Sequence, residues 1–256
     1  MSLQNQITPL VLTLNEAPNV RRTLEKIAWA KEVVVVDSFS TDGTLEILKS
    51  FPQVRVVQRK FDSFADQCNF GLEQIRTPWV LSLDADYVVS PQMAEEILAL
   101  PDNPGVAGYT ARFRYCIHGW PLRASLYPPR TVLYRRDKAR YRNDGHGHRV
   151  QVEGMVRMLA DKIDHDDRKP LERWFNEQIK YAGMEAAHLL NTSSADLNFA
   201  DRLRKKIVLA PALVFFYTLL GKGLILDGWP GWFYVFQRTL AELILSLRLL
   251  ENKLKR

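Results

Sequence analysis

The chain has 256 residues, of which 46% are hydrophobic and 25% charged, a composition typical of a globular protein that excludes an intrinsically disordered chain. Its net charge of +6 at pH 7 favours an anionic partner, which charge alone leaves open among nucleotide phosphates, an anionic membrane surface and nucleic acid. The two cysteines, Cys68 and Cys116, lie far apart and lack a Cys-x-x-Cys spacing, so the sequence indicates neither a disulfide framework nor a zinc site.

The N-terminus and the two cysteines bear on where the protein works. Residues 1–8 are polar and lack the charged start and apolar run of a signal peptide. Cysteines without a pairing pattern also fit a reducing compartment. We therefore expect a cytoplasmic protein, or one on the cytoplasmic face of the inner membrane.

Strand and helix patterns alternate over the first hundred residues. Strands are predicted at 7–14, 33–36, 54–57 and 80–84, and helices at 20–29, 45–51 and 64–75. This alternation predicts an open, mostly parallel sheet with right-handed crossovers, whose ligands lie beyond the carboxyl ends of the strands. The glycine-rich loops of dinucleotide-binding and P-loop proteins do not follow the first strand, which argues against both classes.

Two carboxylates, Asp84 and Asp86, come where the fourth strand ends. In an extended backbone, side chains two residues apart point to the same face of the sheet. Such a pair is typical of a Mg²⁺ or Mn²⁺ site, in which the ion also takes phosphate oxygens of a nucleotide diphosphate. Because Asp-x-Asp is also common in solvated loops, the prediction depends on its position after an apolar strand.

Three segments of this region together resemble the signatures of family 2 glycosyltransferases of the GT-A fold, and most closely the lipopolysaccharide core branch. They are Leu-Thr-Leu-Asn-Glu at 12–16, Val-Val-Asp-Ser-Phe-Ser-Thr-Asp-Gly-Thr at 35–44, and Leu-Asp-Ala-Asp at 83–86. The resemblance implies an α/β, Rossmann-like GT-A domain whose Asp-x-Asp binds a metal on the donor diphosphate. The candidate nucleotide-sugar-binding residues are Thr13, Asn15, Glu16, Asp37, Gln67, Asp84 and Arg168.

Simpler roles exist for some of these acids. Asp37 and Asp42 also suit turns and helix caps, which we favour for Asp42 but not for Asp37 at its strand end. Glu16 also suits the first turn of a helix, where an acid complements the dipole.

The second half of the domain is predicted to hold the acceptor. It has a helix at 91–100 and strands at 108–115 and 131–136. The segment between these strands, residues 120–130, is aromatic and basic, which fits either a sugar-binding loop or structural packing.

We predict a loop at residues 143–150, Asn-Asp-Gly-His-Gly-His-Arg-Val, whose two glycines give it flexibility. The general base is predicted in or just after this loop. Inverting glycosyl transfer needs a base to deprotonate the acceptor hydroxyl. The candidates are Asp144, His148 and Glu153, and we favour Asp144 because the bases of the family are carboxylates. A surface loop without a catalytic role is the alternative.

A third polar stretch, His-Asp-Asp-Arg-Lys at 165–169, precedes a helix predicted at 172–190 and resembles a signature of the same branch. By this resemblance His165 is the candidate third metal ligand, and Arg168 and Lys169 are candidate diphosphate-binding cations. Asp166 and Asp167 also suit the cap of the following helix.

The C-terminal region is predicted to associate with a membrane. Residues 207–226 form an apolar run of about twenty residues, close to the length that spans a bilayer, but proline and glycine interrupt it. An aromatic, turn-rich stretch at 227–234 and an amphipathic helix at 240–250 with basic residues after it favour a segment lying in the membrane surface. A helical hairpin packed on the domain or forming a homodimer is the alternative.

We therefore predict a GT-A domain at 1–200, with a nucleotide-sugar half at 1–100 and an acceptor half at 101–200, followed by membrane-associating helices at 201–256. The predicted activity is metal-dependent transfer of a sugar from a nucleotide-sugar donor to a glycan or lipid-linked acceptor in envelope polysaccharide or lipopolysaccharide core biosynthesis. The family resemblance implies that the transfer is inverting. A sugar nucleotidyltransferase is one alternative, although its glycine-rich basic N-terminal loop is absent, and a non-catalytic membrane scaffold is another. Nucleic acid is not an expected partner, because the basic residues are dispersed or lie beside the apolar tail.

Overall fold

The computed structural model describes residues 2–144, 147–193 and 195–255, without the side chains of residues 143, 144, 147 and 148. The chain divides into two compact units, one made of Met1–Gly119 and Tyr127–Arg168 and the other of Trp120–Leu126 and Lys169–Arg256. The helix that follows the His-Asp-Asp-Arg-Lys stretch therefore belongs to the second unit.

The elements follow one another in a strand-helix alternation that gives way to strands and then to helices. In chain order they are β1 (Ile7–Thr13), α1 (Val20–Lys26), β2 (Val33–Asp37), α2 (Thr44–Lys49), β3 (Val54–Gln58), α3 (Phe64–Glu73), β4 (Trp79–Asp84), β5 (Tyr87–Val88), α4 (Pro91–Ala99), β6 (Val106–Ile117), β7 (Trp120–Pro121), β8 (Arg130–Arg135), β9 (Ala139–Asp144), β10 (Gly147–Val152), β11 (Met155–His165), α5 (Leu171–Asn191), α6 (Phe199–Arg204), α7 (Leu209–Phe216) and α8 (Gly228–Leu254).

The large sheet of the first unit is parallel in its first half and mixed in its second. Its strands lie in the order β3-β2-β1-β4-β8-β6-β11-β5. β1 pairs in parallel with β2 and β4, and β2 with β3, which confirms the predicted parallel region. β8 is antiparallel to both β4 and β6, while β9 and β10 form a separate antiparallel hairpin. The carboxyl ends of β1, β2 and β4 therefore meet at one edge.

Apolar layers cover both faces of this sheet. The valines of β2 are fully buried, as expected for a central parallel strand. Trp79, Leu81 and Leu83 of β4 point into one layer and Val80 into the other. Because strand side chains alternate, Ser82 and Asp84 share the face of Val80. This register brings Asp84 to the rim of the sheet on the side of α3 and β9.

The structure corrects the sequence analysis at the Asp-x-Asp motif and at the predicted base loop. β4 ends at Asp84, and Ala85 and Asp86 form a turn, so the alternation expected for an extended backbone does not apply to the pair. In the predicted loop at 143–150, residues 143 and 144 belong to β9 and residues 147–150 to β10. β11 was not predicted, because most of its side chains are exposed and its sequence lacks an apolar alternation.

Helices make up most of the second unit. α5 packs on α8 through small and apolar side chains, among them Ala182, Ala186 and Leu245. Arg204 of α6 binds the buried Glu242 of α8 at 2.9 Å. α8 begins at Gly228, well before the helix predicted at 240–250, because Pro230 falls in its first turn, where proline is tolerated.

The predicted apolar run at 207–226 folds as α7, a π-helical turn at Tyr217–Gly221 and a 3₁₀ turn at Leu224–Asp227. Among the described residues, none of the helices taken singly has both the length and the apolar character to cross a bilayer. The bent pair Leu209–Gly221 and Leu224–Leu254 meets both criteria together.

Candidate active site

The loops after β1 and β2 are joined through the buried carboxylate of Asp37. Its Oδ1 accepts hydrogen bonds from Thr13 Oγ1 at 2.8 Å and Ser40 Oγ at 2.5 Å. Its Oδ2 accepts from the Ser40 amide at 3.0 Å and from Gln58 Nε2 at 3.2 Å. A carboxylate offers about four acceptor positions, so these donors fill the acceptor capacity of Asp37. The turn after β2 is fixed by this residue.

Asn15 and Glu16 extend the same junction. Asn15 has a left-handed backbone with φ of 56°, a conformation that asparagine tolerates better than most residues. Its amide donates to Ser40 Oγ at 2.8 Å, and its Oδ1 accepts from the Thr41 amide at 2.7 Å. Glu16 is buried and accepts from Asn19 Nδ2 at 3.0 Å. Both predicted residues therefore lie beside the loop held by Asp37.

Asp42 and Gln67 also make hydrogen bonds to residues of the loop after β2 and at the start of α2. Asp42 Oδ1 accepts from the amide of Thr44 at 3.1 Å, which confirms the turn interpretation of this residue. Burial acts to raise the pKa of Asp42, but its hydrogen bonds outweigh burial and lower it. Gln67 is buried, donates to Ser38 Oγ at 2.8 Å and accepts from Arg59 Nη1 at 2.6 Å.

The Asp-x-Asp motif lies at the carboxyl end of β4, next to His165. Asp84 is partly exposed and accepts no hydrogen bond from the described residues. Asp86 is 7% exposed, and its Oδ2 lies 3.3 Å from His165 Nε2. β11 brings His165 there by pairing it with Tyr87 of β5. The structure thus places the three predicted metal ligands at one edge of the sheet.

His165 is enclosed by aromatic rings, and its two ring nitrogens differ in their contacts. The ring centroids of Tyr115 and Tyr127 lie 4.7 and 4.5 Å from its own. Burial acts to lower the pKa of His165, but the charge and hydrogen bond of Asp86 outweigh it and raise the pKa. Its Nδ1 is buried and has no hydrogen-bond partner among the described residues. Within that part of the chain, no group of three or more His, Cys, Asp or Glu side chains is close enough to hold a metal.

Asp166 is the centre of a buried ion cluster beside this site. It accepts from Arg22 Nη1 at 2.6 Å and from the Gly119 amide at 2.9 Å, and Arg168 Nη2 lies 2.8 Å from it. The guanidinium of Arg168, a predicted diphosphate-binding group, is thus held by a carboxylate of the protein. Its side chain is still 38% exposed.

The cap interpretation of Asp166 and Asp167 is wrong. α5 begins at Leu171 with Pro170 at its N-cap, and no side chain caps it. Asp167 instead accepts from Asn19 Nδ2 at 2.8 Å. Both acids therefore tie the end of β11 to α1.

Of the three candidate bases, Glu153 lies away from the Asp-x-Asp motif. Glu153 is exposed, and its amide donates to the Lys138 carbonyl. This contact lies near the amino end of β4, because the amide of the nearby Arg136 donates to the carbonyl of Pro78, just before β4. β4 runs over 6 residues from that end to Asp84, a distance of roughly 16 to 20 Å. The structure therefore does not bring Glu153 to the site.

Asp144 and His148 lie on the hairpin of β9 and β10, and their side chains lie outside the described part of the structure. The hydroxyl of Tyr141, on β9, donates to Ser82 of β4 at 2.8 Å. β9 therefore runs towards the carboxyl edge of β4, and Asp144 is its last residue.

Sequence reasoning missed one cation at this edge. Arg130 is the first residue of β8, and its guanidinium lies 5.1 Å from the centre of the Tyr127 ring. Its Nε is buried and has no hydrogen-bond partner among the described residues. The only sequence signal was the aromatic and basic composition of residues 120–130.

Comparisons with known proteins agree with this geometry. The family model for glycosyl transferase family 2 matches residues 10–164. The lipopolysaccharide core biosynthesis glycosyltransferase LpsC of Rhizobium meliloti is 30% identical over 149 residues, which are 53% of this chain and 53% of LpsC. An uncharacterized glycosyltransferase of Rickettsia bellii is 33% identical over 96 residues, 37% of this chain and 32% of that protein. The matches thus cover about half or less of these relatives.

A solved structure with a similar fold is the mannosyltransferase PcManGT of Pyrobaculum calidifontis, determined with GDP-Man and Mn²⁺. It superposes with a TM-score of 0.56 at 17% identity, over 97% of this chain and 88% of that one. This likeness confirms the predicted GT-A fold. The family model covers more than half of the sequence and includes Asp37, Asp84 and Asp86. The chain therefore belongs to glycosyl transferase family 2.

Proposed function

We propose that this protein transfers a sugar from a nucleotide-sugar donor to a glycan or lipid-linked acceptor, with a divalent metal and with inversion at the anomeric carbon. Asp84 carries the proposal, because it is a carboxylate at the carboxyl edge of a parallel sheet that accepts no hydrogen bond from the described residues. Ligands of such sheets lie at that edge.

The residues at the edge fit a hard cation. Carboxylate oxygens are the ligands that Mg²⁺ and Mn²⁺ prefer, and an imidazole is also suitable for Mn²⁺. Asp84 and Asp86 would hold the ion, and His165 would join them after releasing its contact with Asp86. The cation would supply charge stabilisation to the diphosphate leaving group. PcManGT, whose fold is similar, was determined with Mn²⁺ and a nucleotide-sugar.

The other predicted residues have supporting roles in this proposal. Thr13, Asn15 and Glu16 form the wall of the nucleotide site, and Asp37 and Gln67 hold the loop that completes it. Arg168 contributes positive charge near the diphosphate although Asp166 binds it. Asp144 is the proposed base, since β9 leads it towards the edge that carries Asp84.

We base the proposed acceptor and location on the exposed side chains of the second unit and on the similarity to LpsC. Large apolar side chains are exposed there, among them Trp229 at 85%, Phe199 at 80% and Val208 at 75%. Basic residues such as Lys206 and Lys253 lie in the same region. Aromatic and basic residues beside apolar surface favour contact with an anionic membrane. We propose that this unit lies on the inner membrane surface, where a lipopolysaccharide core precursor is accessible.

Calorimetric titration with UDP, GDP, CDP and ADP, with and without Mn²⁺, tests the proposal. We expect metal-dependent binding of one diphosphate, and loss of that binding in the Asp84→Ala, Asp86→Ala double variant. Asp137→Ala is the matched control, because this aspartate is exposed in a turn before β9 and should not affect binding. If none of the nucleotides bound under any metal condition, the transferase proposal would fail and a non-catalytic membrane scaffold would replace it.

A further inference from the structure

Arg130 is the first residue of β8, the strand next to β4 in the sheet. β4 and β8 are antiparallel, with Val80 opposite Tyr134 and Leu81 opposite Leu133. This pairing ends at Leu81 and Leu133, and Asp84 and Arg130 each lie three residues beyond it, in the same direction along the two strands. On its other side, Arg130 pairs with Ala111 of β6. The pairing with β6 therefore holds the backbone of Arg130.

The environment of the Arg130 side chain is unusual for a guanidinium. The group lies over the Tyr127 ring, whose hydroxyl is hydrogen-bonded to that of Tyr87. Among the described residues it finds no hydrogen-bond acceptor, although a guanidinium carries five N–H donors. Burial acts to lower the pKa of Arg130, but Tyr127, Tyr87 and Asp84 outweigh burial and raise it, so the group stays charged.

A largely buried cation without an acceptor is costly, because its lost hydration is not replaced by hydrogen bonds. The cation–π contact with Tyr127 offsets only part of that cost, since such contacts contribute about 0.5 to 2 kcal/mol. Asp84 lies close enough for its charge to act on Arg130, yet it accepts no hydrogen bond from the described residues either. The carboxylate and the guanidinium have opposite charges but are not joined by a hydrogen bond, so together they suit a ligand with a positive and a negative end.

We propose that Arg130 donates hydrogen bonds to the β-phosphate oxygens of the donor diphosphate, while Asp84 binds the metal carried by the same diphosphate. The planar guanidinium matches phosphate oxygens in a two-point contact that lysine does not reproduce. This role rests on the proposed glycosyl transfer and adds a residue to it. The step is one of binding and involves no covalent change at Arg130.

The test compares nucleoside diphosphates with monophosphates. Wild type, Arg130→Gln, Arg130→Lys and the control Arg112→Gln are titrated with UDP, GDP, CDP and ADP and with the matching monophosphates in excess Mn²⁺. Arg112 is an exposed arginine on the neighbouring strand β6, and its guanidinium donates a hydrogen bond to a backbone carbonyl. We expect Arg130→Gln to weaken binding of the preferred diphosphate by about 10- to 100-fold and that of its monophosphate by less than about threefold. Arg130→Lys should be intermediate, and Arg112→Gln should match wild type.

Thermal unfolding without nucleotide separates binding from folding. Because the side chain of Arg130 makes no hydrogen bond to the described residues, we expect Arg130→Gln to unfold at the wild-type temperature or above it. If Arg130→Gln does not fold, Arg130→Lys decides the matter through the same diphosphate-selective loss. Equal losses for monophosphate and diphosphate, or unchanged diphosphate binding, would overturn the role of Arg130 alone. Absence of nucleotide binding in wild type would overturn the proposed function as well.

Discussion

Replacing Asp37 separates a structural role from direct contact with the nucleotide. The carboxylate is fully buried and receives its four hydrogen bonds from Thr13, Ser40 and Gln58. In Asp37→Asn the amide NH₂ can turn towards the two hydroxyls, which can accept from it, while the remaining oxygen keeps the other two donors. The variant thus keeps its hydrogen bonds but loses their charge, and we expect unfolding to become easier by about 1 to 2 kcal/mol.

Asp37→Ala is the matched, harsher change, because it leaves the same donors without an acceptor. Each buried donor left without a partner costs about 1 to 3 kcal/mol, and the mobile hydroxyls can find other partners, so we expect a loss of about 3 to 5 kcal/mol. Urea unfolding of both variants without nucleotide measures these changes, and calorimetry measures nucleotide affinity. If Asp37→Asn kept wild-type stability but lost nucleotide binding, Asp37 would contact the ligand directly and the reasoning would be refuted.

Two further predictions concern the core. Gly71→Ala adds a Cβ that would lie 2.5 Å from Leu10 Cδ1. We expect urea unfolding to show a free energy of unfolding lower by about 1 to 3 kcal/mol, even though alanine favours a helix over glycine by about 1 kcal/mol. A variant more stable than wild type would contradict this packing. Cys68 and Cys116 are 1% and 3% exposed, and burial raises the pKa of Cys116 to about 12. Both thiols should resist a disulfide reagent at about pH 8 until urea unfolds the protein, and rapid labelling of the native protein would argue against this burial.

Local patterns were sufficient for the parallel half of the sheet. The valine run of β2 and the apolar strand before Asp84 predicted their own burial, because a central parallel strand is covered on both faces. The rule that parallel strands end at a common edge then predicted that the loops after β1, β2 and β4 converge. That part of the site follows from periodicity and topology alone.

The mixed half of the sheet could not be predicted in the same way. β11 is mostly exposed, and its pairing partner β6 lies far from it in sequence, so neither an apolar alternation nor a turn reveals the pair. The contact of Arg22 with Asp166 spans 144 residues. Nothing near Asp166 in sequence distinguishes that partner from a helix cap, and the cap interpretation failed for this reason.

The acids of this edge are distinguished by their partners and not by their motif. Asp166 is neutralised by two guanidiniums and an amide, and Asp37 by four donors, so a cation gains little by displacing those partners. Asp84 has the same chemistry and lies at the same edge, yet no described residue donates to it. Electrostatic attraction for a metal is therefore greatest where the fold leaves the carboxylate to the ligand. By the same argument, the proposed phosphate ligand gains most at Arg130, whose guanidinium has no hydrogen-bond acceptor among the described residues and lies within reach of the charge of Asp84.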